Sequence, residues 1–146
     1  MTNEELVNFA NKIRERSHYA TYRNPEAVKA ILDAAKKTTT ENGKLKTDIN
    51  DALWVSPWEF EAETPEEFVM YMIGFDLETG DREIFFDDDR FPKELIADNI
   101  QVYVQTMLSV GVTKELINKH LHNLIGCDRE ENPEVYDLFE QALNQV

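Results

Sequence analysis

A chain of 146 residues is the size of one domain, and a hydrophobic fraction of 42% excludes a disordered chain. A net charge of −14 excludes attraction to nucleic acid or anionic membrane by overall charge. The single cysteine, Cys127, excludes an internal disulfide and fits a reducing, cytoplasmic compartment. One compact acidic domain over residues 1–146 is expected. The start, MTNEELVNFANKIRER, has charges where a secretion signal needs an apolar run. The longest apolar run, Phe68 to Phe75, is too short to span a bilayer.

In chain order, Thr2 and Glu5 have capping-box spacing, and Leu6, Phe9, Ala10 and Ile13 follow as an apolar stripe, so a helix begins at Thr2. Asn24-Pro25-Glu26 opens a second helix with Val28, Ile31, Leu32 and Ala35 inside. Polar Thr38–Lys46, with Asn42-Gly43, reads as a turn or hairpin tip. Thr47–Val55 reads as a short helix capped by Asp48. Trp58, Phe60 and Ala62 alternate with Glu59, Glu61 and Glu63, the period of a strand with an acidic outer face. Thr64-Pro65-Glu66-Glu67 signals a helix start. The run behind it fits helix or strand, and strand from Val69 to Leu77 is favoured. Glu78–Asp81 then turns, and Arg82–Phe86 returns as the second arm.

The last third reads as helical. Pro92 opens a helix with Ile96, Ile100, Tyr103, Met107 and Leu108 along its stripe, and Gly111 ends it. Thr113 caps the next, which holds Leu116, Ile117, Leu121, Leu124 and Ile125 and ends at Gly126. Asn132-Pro133 opens the last, with Val135, Leu138, Phe139, Ala142 and Leu143 inside. The expected fold is therefore α+β and mostly helical. It has a small antiparallel hairpin or sheet in the middle and a three-helix C-terminal half.

Several short motifs carry chemistry in other proteins. Phe75-Asp76-Leu77-Glu78 follows an apolar run, and Asn132-Pro133-Glu134-Val135-Tyr136-Asp137 lies further on. Together these resemble the first two motifs of DEDD-type 3′–5′ exonucleases. That resemblance implies a metal-dependent nuclease using Asp76 and Glu78. The family's third carboxylate, with His or Tyr just before it, has no match in the nine residues after Asp137. A calcium loop over Asp76–Asp81 places Gly80 one position early, and Asp87–Asp89 reads as a solvated loop that favours the following helix N-terminus. His120 and His122 are two apart, so one helix face does not present both. They read as surface histidines and Cys127 as a buried thiol, and no metal or other cofactor is expected. Val110-Gly111-Val112-Thr113 has the form of a helix-turn-helix junction, with Lys114, Asn118, Lys119, His120 and His122 behind it. A plain helical hairpin is the simpler reading. Trp54, Trp58, Tyr71, Phe75, Phe85, Phe86 and Phe91 cluster in the central segment and are expected mainly in the core, with some left between acids as interface anchors.

Charge distribution says most about function. Residues 1–50 carry nine Lys/Arg against seven acids, net +2. Residues 51–146 hold six bases and 22 acids, net −16. A field of that size steers association with basic surfaces. The expectation is a non-enzymatic binder of a basic, nucleic-acid-binding protein. Its acidic surface is Glu59, Glu61, Glu63, Asp76, Glu78, Asp81, Glu83, Asp87, Asp88 and Asp89. Its carboxylates would mimic a phosphate backbone, by analogy of type with inhibitors of nucleases and defence enzymes carried by mobile elements. Other readings are an immunity protein or chaperone masking a toxin or secreted client, the nuclease, and a DNA-binding regulator using Arg14, Arg16 and Arg23 or the Gly111 turn. Docking of the basic first third on the acidic remainder of another copy would give a homodimer.

Overall fold

The computed structural model describes residues 2–18, 20–42, 45–49, 58–74, 93–125 and 128–145. Helix α1 spans Asn3–Arg16, a single 3-10 turn Thr21–Arg23, and α2 Pro25–Asn42. Strands β1 (Leu45–Ile49) and β2 (Trp58–Ala62) follow, then α3 (Pro65–Gly74). The rest is α4 (Lys93–Ser109), α5 (Lys114–Lys119), α6 (Leu121–Ile125) and α7 (Pro133–Asn144).

Local chemistry sets most of these helix ends. The Thr2 hydroxyl accepts from the Glu5 N–H at 3.1 Å, and the Glu5 carboxylate accepts from the Thr2 N–H at 3.2 Å, a complete capping box. Asn24, Thr113 and Asn132 accept from the N–H three residues on. At the end of α4, Gly111 sits at φ 108°, a conformation costly to a residue with a Cβ. The Val112 N–H reaches back to the Met107 carbonyl at 3.0 Å and the Gly111 N–H to that of Leu108 at 3.2 Å. That Schellman pattern satisfies two terminal carbonyls, and Met107 and Val112 are both buried beside it.

The core is helix on helix, with α2 at its centre. It packs against α1, α3, α4, the 3-10 turn and β1, burying Val28, Ile31, Leu32 and Ala35. Helix α4 packs on α7, with the Tyr103 and Phe139 rings edge to face at 6.5 Å. The Arg23 guanidinium ties the 3-10 turn to α4 by donating to Asp98 at 2.9 Å and to Asn99.

Four sequence expectations are corrected. The α+β fold, with helices packed on a central antiparallel hairpin or sheet, gives way to a predominantly helical fold. The one strand pairing among the described residues is the β1–β2 ribbon, with Thr47 opposite Phe60. Ala62 of this ribbon lies in the core. The favoured strand from Val69 is instead α3, and Gly74 is its last residue; 75–77 and the returning arm at 82–86 lie outside the described residues. Its periodicity gave no signal because Glu67 through Gly74 are all buried, whichever way they point. The turn expected over Thr38–Lys46 begins too early, since α2 runs on to Asn42. The Thr38 and Thr39 hydroxyls donate back to the Ala34 and Ala35 carbonyls, both at 2.8 Å, which lets polar residues continue the helix. The short helix expected from Thr47 begins in extended β1, and 50–55 lie outside the described residues.

Among the described residues, no helix is long and apolar enough to cross a membrane.

Candidate functional site

Of the ten carboxylates singled out by the sequence, Glu59 and Glu61 lie in β2, with backbones opposite Asp48 and Lys46. Glu63 follows the strand and is exposed. Its N–H donates to the Glu67 side chain at 3.2 Å, which fixes the turn into α3. Asp76, Glu78, Asp81, Glu83, Asp87, Asp88 and Asp89 lie outside the described residues, as does Cys127. The three that fall in the described residues lie within five consecutive positions of the chain.

A second acidic stretch surrounds the start of α7, and the sequence reading passed over it. Asp128, Glu130, Glu131, Glu134 and Asp137 are exposed and Glu140 is half-exposed, with Arg129 the one base between 128 and 140. The Arg129 guanidinium lies 3.6 Å from the Asp137 carboxylate, is bonded to Glu140 and stacks 4.9 Å from the Tyr136 ring centre. It therefore braces the turn against α7 and offsets part of the local negative field. Six acids against one base in 13 residues was the signal available in the sequence. It was obscured because Asn132-Pro133 and the apolar stripe behind it explain the segment as a helix.

The most organised polar group is internal. Tyr71 and Glu67, one turn apart on α3, meet His120 at the joint between α5 and α6. The Tyr71 hydroxyl shares a hydrogen bond of 2.5 Å with His120 Nδ1, and the two rings stand edge to face at 5.2 Å. His120 Nε2 is buried without a hydrogen-bond partner, and Glu67 Oε1 lies 3.7 Å from it, close enough for a charge contact. The side chains of Glu67 and His120 are 8% and 17% exposed. Glu67 also receives the Glu63 N–H, and its own N–H donates to the Thr64 hydroxyl at 3.2 Å. One turn further along, the Tyr103 hydroxyl donates to the Met70 carbonyl at 2.7 Å. Burial, and secondarily the nearby Tyr71, holds that phenol well above the usual phenol range. The cluster fastens α3 to the α5–α6 joint, and its polar atoms face one another.

This corrects the reading of His120 as a surface residue, and of 113–126 as one continuous helix. The backbone breaks at His120, where φ is −111° and ψ 19°, and the ring turns inward. His122 is exposed and lies 2.9 Å from Asp128, so the two histidines do face opposite ways. No three of the His, Cys, Asp and Glu side chains among the described residues gather as a metal-binding group.

Of the residues nominated for DNA contact, two arginines are tied up within the fold. Arg14 is 1% exposed and donates to Asn11 at 2.9 Å, while Arg23 is held by Asp98 and Asn99. Arg16, Lys114, Asn118 and Lys119 are exposed. Family models, curated proteins and solved structures were compared with the chain, and none matches it.

Proposed function

We propose that this protein is a non-enzymatic binder whose acidic surface engages a basic, nucleic-acid-binding protein, with carboxylates standing where the partner expects phosphates. One observation carries the reading: residues 51–146 hold 22 acids and six bases. A net charge of that size opposes the compact state by self-repulsion, so its benefit is sought outside the fold. Exposed carboxylates at Glu63 and from Asp128 to Asp137 give the field an outlet at the surface. The burial of Arg14 and the pairing of Arg23 with Asp98 argue in the same direction, because direct DNA binding relies on exposed bases gathered on one face.

The test is capture of partners from the source lysate by tagged protein, after nuclease treatment, across a salt series and read by mass spectrometry. The expected result is a basic nucleic-acid-binding protein, released as salt rises and displaced by added DNA or RNA. Charge reversal at Asp87–Asp89 is expected to weaken its capture at low salt. Recovery of nucleic acid itself, or of no protein partner, overturns the reading. Asp76→Ala with Glu78→Ala separates it from the nuclease alternative: a nuclease loses all activity, whereas a binder loses affinity in a salt-dependent way.

A further inference from the structure

We draw no further inference here: the strongest candidate, the Glu67–Tyr71–His120 cluster between α3 and the α5–α6 joint, turns its one unpartnered buried atom, His120 Nε2, toward its own Glu67 at 3.7 Å, and nothing in the structure shows a ligand, substrate or partner that it would take.

Discussion

Helices α3 and α7 are of similar length and follow similar start signals, yet they occupy opposite environments. Helix α7 buries Val135, Tyr136, Phe139, Ala142 and Leu143 and leaves Glu134, Asp137 and Gln141 in water. Helix α3 buries everything from Glu67 to Gly74. A helix with one wet face writes its 3.6-residue period into its sequence, and a helix enclosed by other elements does not. The difference also decides which residues carry polar ties. Arg129 meets Asp137 and Glu140 at the surface of α7, where such pairs contribute little. The ties of α3 run through Tyr71, Glu67 and the Met70 carbonyl inside the protein, where an unpaired group is costly.

The largest effects should come from alanine substitutions that probe this contrast. On α3, Phe68 and Met72 share one face and Met70 and Ile73 the opposite one, so Phe68→Ala, Met70→Ala, Met72→Ala and Ile73→Ala probe both sides of the axis. Each should cost about 2–5 kcal/mol in urea unfolding. On α7 the cost should depend on face: Phe139→Ala about 3–5 kcal/mol, and Gln141→Ala within about 0.5 kcal/mol. A silent alanine among the four on α3 would mean that this helix has a wet side, and the contrast would fail.

Gly74→Ala comes next. A Cβ there would sit 2.6 Å from the Leu124 side chain, so α3 and α6 approach as closely as a glycine allows. The expected cost is about 1–3 kcal/mol, and it should shrink in a Leu124→Ala background. An equal cost in both backgrounds would remove the contact as its cause.

Tyr71→Phe removes the hydroxyl that holds His120, at an expected cost of about 1–3 kcal/mol. A double-mutant cycle with His120→Ala should show coupling of about 0.5 kcal/mol or more. Additive losses would show that the two side chains do not act as a unit.

The mildest test concerns the start of α1. The Thr2 backbone N–H, then the Thr2 hydroxyl, lower the pKa of the Glu5 carboxyl from its ordinary 4.5. A carboxyl depressed in the folded state contributes stability above its unfolded pKa, and that contribution disappears as pH falls through the folded value. In an NMR titration the Glu5 carboxyl should titrate below 4.5, and the Thr2 and Glu5 amide signals should move with it. Titration at or above the ordinary value would show that the capping box does not persist in solution.

Most of the described helices were readable because their signals are short-range. Thr2 with Glu5, Asn24 with Ala27, Thr113 with Leu116 and Asn132 with Val135 each act across three residues, so neighbouring sequence is sufficient. The Gly111 stop is equally local. The candidate site was less legible. Its acids are visible as composition, but whether they share a face depends on folding. The inward turn of His120 depends on Tyr71, 49 residues earlier, and no local pattern announces it.

The sequence by itself therefore determined the charge imbalance, the helix starts and stops, and the buried stripes of the half-exposed helices, because these rest on composition and on contacts within a turn. Only the tertiary structure decided that 65–74 is helix rather than strand, that Arg14 and His120 face inward, and that helices rather than a sheet make the core. Each of those outcomes depends on what packs against the segment from elsewhere in the chain. An apolar run enclosed on every side carries no periodic trace of its surroundings.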